Sequence, residues 1–129
     1  MGLVSTADDY LAFARMLLND GALHGERLLS RHAVRQMRIN HLTAEQRELV
    51  IPTFDPLRRR GFGLGLSMAF AADAVPGSEG RYGWPGAYAT TWFADPAEDM
   101  IGLAFGQVWY DAQLELRPTF ESLVYQALD

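Results

Sequence analysis

The serine hydroxyls are the side chains of this 129-residue chain with the most direct catalytic potential. A serine is a weak nucleophile until a neighbouring base takes its proton, and a lysine three positions later is one arrangement that supplies the base. All eleven basic residues are arginine, so no such lysine is present. The residues three positions after the serines are instead Asp8, Ala33, Phe70, Arg81 and Tyr125. The chain therefore contains no Ser-x-x-Lys motif.

His24, His32 and His41 are the histidines available for metal binding or proton transfer. Their separations match neither His-x-x-x-His nor a closed zinc pattern. The chain has no cysteine, which excludes disulfides and thiolate metal sites. We therefore expect surface histidines and predict no metal and no other cofactor.

Arg31, Arg35 and Arg38 form a basic flank on one predicted helix. A solvated helix face is the interpretation that this pattern favours. The alternative is an anion-binding patch, although phosphate sites usually add glycine-rich backbone or more positive charge. The formal net charge of −5 argues against general nucleic-acid binding, which needs a basic face.

Alternating glycines mark the stretch from Gly61 to Met68. Every second residue is apolar and shares one face of a predicted strand, namely Phe62, Leu64, Leu66 and Met68. The pattern is neither G-x-G-x-x-G nor a P-loop, which also needs a lysine. We therefore predict a strand whose glycine face allows close packing, and not a nucleotide-binding loop.

Length and composition fit one soluble globular domain that covers residues 1–129. Hydrophobic residues make up 49% of the chain and charged residues 21%. No apolar run approaches the roughly 20 residues that cross a bilayer, and no signal peptide is visible. We therefore expect no membrane span. The compartment stays open, and it is cytoplasmic if Met1 is the true start.

A small α+β fold is predicted to position these residues. Thr6 can cap a first helix that stops near Gly21, a turn is predicted at His24 and Gly25, and Ser30 can cap a second helix. A loop is predicted over 40–60, in which 45–49 can form a short helical turn, and Pro118 fits the first turn of a closing helix. Strands are predicted at 61–68, 88–93 and 100–108. The result is a three-stranded antiparallel sheet with N-terminal helices and a C-terminal helix.

The stretch Gly83-Trp84-Pro85-Gly86 leads into the predicted hairpin in an unusual way. Proline has no N–H for a ladder, so this end of the strand is expected at a sheet edge or a bulge. The two glycines let another group come close to the backbone. A purely structural role is the alternative for the aromatic residues, because cross-strand aromatic pairs stabilise sheets. These residues are Trp84, Tyr88, Trp92 and Trp109.

Trp84-Pro85-Gly86 resembles the third sequence box of the serine β-lactamase and penicillin-binding-protein superfamily. The similarity is greatest to the Trp-x-Gly form found in class C-like β-lactamases and family VIII esterases. The segments GLVSTADDYLAFARMLLNDG, GFGLGL and WFADPAEDMIGLAFGQ resemble the flanking segments of that family in the same order. The resemblance covers nearly the whole chain and implies a partial β-lactamase-like fold.

The resemblance also implies roles for the residues of the box. In this family the backbone N–H after the third box is one donor to the oxyanion of the acyl-transfer intermediate. That position is Ala87, and Trp84, Pro85 and Gly86 would line the substrate cleft. Pro85 stands where the family often has threonine or glycine, which removes a hydroxyl and a backbone donor. An uncharged wall favours a neutral ester or amide over a carboxylate-bearing β-lactam.

The family's first two boxes, Ser-x-x-Lys and Tyr-x-Asn or Ser-x-Asn, are missing from the chain. We therefore expect the C-terminal part of a serine hydrolase that is inactive alone and acts on a small ester or amide in the intact protein. The alternative is a non-catalytic binding or oligomerisation module that retains the fold. Met1 falls inside a block that further sequence precedes in relatives. An exposed sheet edge is thus expected, with homo-oligomers or pairing with an N-terminal segment.

Overall fold

The computed structural model describes residues 3–49, 60–70, 76–109 and 113–128. Helix α1 spans Ala7–Leu18 and begins as predicted, because the Thr6 hydroxyl accepts a hydrogen bond of 3.2 Å from the Asp9 amide. Two aspartates lie in the first turn, where the helix dipole favours negative charge. The chain leaves the helix through Asp20 and Gly21, which adopt φ angles of 51° and 92°. The predicted stop is therefore confirmed.

A two-stranded ribbon follows α1. Strand β1 (Ala22–Leu23) pairs with β2 (Glu26–Arg27) in antiparallel orientation. His24 and Gly25 join them, and both have positive φ angles, as the turns of two-residue hairpins require. The turn predicted at these two residues is confirmed.

Two short helices lie beyond the ribbon. Helix α2 (Arg31–Met37) is capped by the Ser30 hydroxyl, as predicted. Helix α3 (Ala44–Glu48) lies in the predicted loop, at the place where the sequence allowed a short helical turn, and it begins with a capping box formed by Thr43 and Gln46. The remainder of that loop prediction, at 50–59, lies outside the described residues.

The described residues form one five-stranded antiparallel sheet in which every strand pairs with the next along the chain. Its strands are β3 (Arg60–Phe62), β4 (Ser67–Ala69), β5 (Tyr82–Pro85), β6 (Thr91–Asp95) and β7 (Met100–Ala104). The α+β class is confirmed. The predicted number of three strands is wrong, and two separate causes account for it.

The first cause is a tight turn inside the predicted strand 61–68. The Gly63 amide donates a 2.8 Å hydrogen bond to the Leu66 carbonyl, and Gly65 adopts a φ angle of 82°. Because glycine tolerates that conformation, the alternating pattern folds into the β3–β4 hairpin. The prediction of close packing is confirmed, since a Cβ atom at Gly63 would lie 2.0 Å from the Met37 carbonyl oxygen.

The second cause is that the box residues themselves form a strand. Strand β5 contains Trp84 and Pro85, which the sequence placed only at the approach to a hairpin. The hairpin that follows is confirmed with shifted limits, because β6 starts three residues later than predicted and β7 ends at Ala104. Its turn includes Asp99 with a φ angle of 48°.

Helix α4 (Gln113–Gln126) closes the described chain. The sequence placed Pro118 in its first turn, and this is wrong, because Pro118 lies inside the helix. The helix starts five residues before the proline, earlier than the apolar stripe after Pro118 indicated. No helix in the described part of the chain is long and apolar enough to cross a membrane.

The sheet carries a helix on each face. On one face, Leu17 of α1 packs with Tyr82 and Trp92 in the main apolar cluster. On the other face, Phe93 stacks on Tyr125 of α4 with ring centroids 5.7 Å apart. All residues of β6 are buried because this strand is covered on both sides. The fold thereby fixes β5, the strand that carries the box, beside the most enclosed strand of the sheet.

Candidate functional site

Strand β5 holds the box between β4 and β6. Gly83 allows this close approach, because a Cβ atom there would lie 2.1 Å from the Trp92 carbonyl oxygen. The expectation that glycine beside Pro85 lets another group approach the backbone is confirmed. The group that approaches is the backbone of strand β6.

Pro85 is the last residue of β5 and is paired with Thr91. On the other flank, the pairing of β5 with β4 stops at Gly83. The Gly86 amide donates a hydrogen bond towards β6. Because backbone groups of neighbouring residues in a strand alternate in direction, the Pro85 nitrogen, one residue earlier, faces the opposite side, where β4 no longer pairs with β5. The missing N–H therefore costs no ladder hydrogen bond. The expectation of an edge position is confirmed locally, at the end of an interior strand.

A short loop presents the backbone after the box. The Gly86 amide closes this loop with a 2.7 Å hydrogen bond to the Thr90 carbonyl, and Ala89 adopts a φ angle of 60°. Ala87 and Tyr88 are exposed at its tip. The structure records no hydrogen bond from the Ala87 amide to another described residue. The loop is thus anchored at Gly86 and Thr90 and presents a backbone donor to solvent.

The two tryptophans of the paired strands have different surroundings. Trp92 is 5% exposed, and its ring meets those of Tyr10 and Phe13 edge-on. The structural alternative therefore holds for Trp92, which is a core residue. Trp84 is half-buried and meets the Phe62 ring edge-on at 5.2 Å. It supplies an uncharged, partly accessible aromatic surface beside the loop.

An exposed aromatic pair lies next to Ala87, and the sequence did not reveal the contact. The rings of Tyr88 and Trp109 meet edge-on at 5.1 Å, and Trp109 is 64% exposed. The two residues are far apart in the chain, so no local pattern links them. The tertiary fold brings them together, because the segment after β7 passes beside the loop. Gly106 of that segment lies close to the Tyr88 carbonyl oxygen.

Among the described residues, the predicted basic flank and the histidines do not form a second candidate site. Arg31 and Arg35 are exposed, whereas Arg38 pairs with Asp20 and lies over the Tyr82 ring at 5.3 Å. All three histidines are exposed. Within the described ranges, no group of three or more His, Cys, Asp or Glu residues is placed to hold a metal ion.

A buried ionic network ties the box strand to α4. Arg81, directly before β5, pairs with Glu121 at 2.9 Å, and each residue is 1% exposed. Arg81 also donates to the Pro76 carbonyl and lies over the Phe93 ring. Arg117 shares Glu121 through a 2.7 Å contact and is 19% exposed at its side chain. The network fixes where β5 begins.

Asp95 and Tyr125 form a second polar link between the sheet and α4. The Tyr125 hydroxyl donates a 2.6 Å hydrogen bond to Asp95, which also accepts from the Ser78 and Ala97 amides. Burial raises the pKa of Asp95, but these hydrogen bonds outweigh burial and leave that pKa below its usual value. Burial and the bond to Asp95 raise the pKa of Tyr125. Asp95 is therefore a charged acceptor that holds the helix.

The fold, the Trp84-Pro85-Gly86 box and the order of its flanking segments together define a protein of the serine β-lactamase and penicillin-binding-protein superfamily. A family model described as Beta-lactamase matches residues 1–124, and the chain belongs to this family. Simvastatin synthase (LovD) from Aspergillus terreus, in its LovD9 mutant form, is 25% identical with a TM-score of 0.74. The match covers 96% of this chain and 35% of that one.

Other similar proteins extend the comparison. EstCE1, described as a hydrolase with promiscuous acyltransferase activity, shares the fold with a TM-score of 0.68 at 24% identity, over 92% of this chain and 28% of its own. Protein Rv1367c of Mycobacterium tuberculosis (strain ATCC 25618 / H37Rv) is 48% identical over 105 residues. That match covers 78% of this chain and 26% of the relative. The chain thus spans about a quarter of this curated relative.

Proposed function

We propose that this chain forms one wall of the acyl-transfer site of a serine hydrolase. The Ala87 N–H donates to the oxyanion, and Trp84, Pro85 and Gly86 line the substrate cleft. The nucleophile and its base come from outside these residues, because the chain has no Ser-x-x-Lys motif. The single observation that carries the proposal is the exposed residue Ala87, whose amide donates to no other described residue, in an anchored loop directly after the box.

The loop has the rigidity that an oxyanion donor needs. A preorganised donor stabilises developing charge without reorganising during the reaction. The bond from Gly86 to Thr90 fixes the base of the loop, and Gly106 packs against it from the segment after β7. These contacts hold the loop that carries Ala87. The Ala87 amide has no hydrogen bond to another described residue that a substrate would have to replace, which supports Ala87 as the donor.

The chemistry of the wall supports a neutral ester or amide as substrate. Trp84 is uncharged and half-buried, and Tyr88 with Trp109 adds exposed aromatic surface beside Ala87. A carboxylate-bearing β-lactam would find no cation in the box itself. The names of two similar structures, a synthase for simvastatin and a hydrolase with promiscuous acyltransferase activity, support acyl transfer as the reaction class.

The first experiment tests the chain alone. The purified protein is incubated with a chromogenic short-chain ester, a chromogenic cephalosporin and a fluorophosphonate probe, and its intact mass is recorded. We expect neither turnover nor a covalent adduct. Turnover together with an adduct would show that a serine in this chain is activated without lysine, which would contradict the assignment of the nucleophile.

A second experiment tests Ala87 in a completed site. The part of the M. tuberculosis relative outside the matched segment is co-expressed with this chain, and ester hydrolysis is measured. Ala87→Pro removes the N–H and should lower kcat by about 10²–10³-fold, whereas Ala87→Ser keeps the donor and should retain activity. Equal loss in both variants, or in neither, would exclude the oxyanion role. Unfolding curves show whether each variant keeps its fold.

A non-catalytic assembly module is the second candidate function, and one observation favours it. Among the described strands, β7 pairs with β6 alone, so its other edge presents unpaired backbone groups. Such an edge is a template for another strand. The partner would be a second copy of the chain or a segment that precedes these residues in a longer protein. No small-molecule chemistry is required for this function.

A further inference from the structure

A cavity lies behind the box, on the side of the sheet covered by α4. Its volume is about 190 Å³, and β5, β6, β7 and α4 all contribute to its walls. Pro85 and its partner Thr91 line this cavity, whereas the adjacent pair, Trp84 and Trp92, is on the opposite face because neighbours in a strand alternate. Pro85 therefore belongs both to this cavity and to the proposed acyl-transfer wall, whereas Trp84 does not line the cavity.

Among the described residues, the lining of the cavity is mostly apolar and includes one charged side chain. The apolar lining includes Ala104, Phe105, Leu116 and Phe120, and Arg117 is the charged residue. Hydroxyl-bearing Thr90 and Thr91 also line the space. This combination of an apolar pocket with a few convergent polar groups is typical of small-molecule sites.

Arg117 is the more accessible of the two arginines that pair with Glu121. Arg81 and Glu121 are each 2% exposed at the side chain, and Arg117 is 19% exposed. The neighbouring carboxylate of Asp95 is already bound by Tyr125 and two amides. Arg117 is thus the member of the network that can reach an anion in the cavity.

The volume limits the ligand to a small molecule. An apolar protein cavity of about 150 Å³ admits a benzene ring. A cavity of about 190 Å³ leaves room for such a ring, or a short alkyl chain, with one added polar group. A planar guanidinium selects a carboxylate for that group, because the two form short, charge-assisted hydrogen bonds.

We propose that this cavity binds a small monocarboxylate with an aryl or short alkyl tail. The tail fills the space between Pro85, Ala104 and Phe120, and the carboxylate pairs with Arg117. Binding needs neither the Ala87 donor nor a nucleophile, so the site does not depend on the proposed function. A carboxylic acid is also the class of product that ester hydrolysis releases, which gives the site a direct source of ligand.

Binding is tested on the 129-residue chain itself, with benzoate as the probe and benzamide as its neutral counterpart of similar size. Amide and methyl NMR spectra are recorded during both titrations. We expect benzoate to bind about tenfold or more tightly than benzamide, since hydrogen bonds to charged groups are the stronger class. The largest shift changes should map to Thr90, Thr91 and Ala104, and not to Trp84.

Three variants separate the charge from the space. Arg117→Gln should reduce benzoate binding to the level of benzamide, and Arg15→Gln, on the exposed side of α1, is the matched control and should change neither affinity. Ala104→Ile fills the cavity and should abolish the binding of both probes. Thermal unfolding of each variant shows that a loss of binding is not a loss of fold.

Three outcomes would overturn the proposal. Equal affinity for benzoate and benzamide would show that the cavity does not select a carboxylate. Shift changes centred on another surface would place the ligand elsewhere. No binding of either probe by a chain that sediments as an oligomer, with the cavity residues protected from solvent, would show that a second copy covers this face.

Discussion

At the residue scale, glycine decides whether the box can lie against strand β6. Gly83 and Gly86 both occupy positions where a Cβ atom would collide with a neighbour, but the neighbours differ. The obstacle at Gly83 is the carbonyl oxygen of Trp92, and the obstacle at Gly86 is the Thr90 hydroxyl oxygen at 2.1 Å. A backbone atom cannot move without shifting the strand, whereas a hydroxyl can rotate.

Gly83→Ala should therefore lower the free energy of unfolding by about 1–3 kcal/mol, as overpacking of a tight site does. Gly86→Ala should cost less, and adding Thr90→Ala should restore most of that loss. Urea unfolding monitored by circular dichroism measures all of these variants. A double variant no more stable than Gly86→Ala alone would disprove the assigned clash with Thr90.

Asp95 should make the stability of the fold depend on acid. Its pKa lies below the usual value in the folded chain, so the carboxylate stabilises the protein above its unfolded pKa. That contribution is lost as pH falls through the lower, folded pKa. The free energy of unfolding of the wild type should thus decline from about pH 5 downwards, and Asp95→Asn should be less stable at neutral pH with a shallower decline.

The exposed carboxylate of Asp99, in the turn of the same hairpin, provides a control for this acid dependence. Asp99→Asn should keep the wild-type dependence on pH, because asparagine also tolerates a positive φ angle. Chemical unfolding between pH 3 and pH 7 compares the three proteins. Parallel curves for the wild type and Asp95→Asn would rule out Asp95 as the cause.

At the element scale, the predictions that succeeded rest on patterns among residues that are close together in the sequence. Caps at Thr6 and Ser30 and the turn at His24 are local, and each is confirmed. Strand number failed because alternation in 61–68 is the same for one long strand and for a hairpin closed by a glycine. The pair of Tyr88 with Trp109 depends on tertiary contact, so no spacing could show it.

The attachment of α4 to the sheet is an element-scale feature that the sequence did not reveal. Its residues, Arg81, Arg117 and Glu121, are not distinguished in the sequence from other charged residues. Glu121→Gln removes the buried carboxylate that Arg81 and Arg117 share and should destabilise the fold by about 3–5 kcal/mol. Arg117→Gln removes a more exposed pair and should cost about 1 kcal/mol or less. Thermal and urea unfolding give both values. Equal losses in the two variants would contradict the expectation that the buried Arg81–Glu121 pair contributes more stability than the more exposed Arg117–Glu121 pair.

At the scale of the whole molecule, the described sheet is covered on its faces and ends in two edge strands, β3 and β7. Helices α1 and α4 cover the two faces, and β6 is buried along its full length. Strand β7 is short but carries Ile101 and Leu103, and no other described strand pairs with its outer side. Exposed leucines on α4, among them Leu123, add apolar surface beyond the sheet.

The isolated chain should therefore self-associate through β7, because pairing satisfies the open backbone groups of that strand. Sedimentation velocity should show a defined oligomer whose fraction rises with protein concentration. Hydrogen exchange locates the interface, since amides of β7 should gain protection as the oligomer forms while those of β5, an interior strand, should not change. A monodisperse monomer at every concentration would contradict this, as would association that leaves the exchange of β7 unaltered.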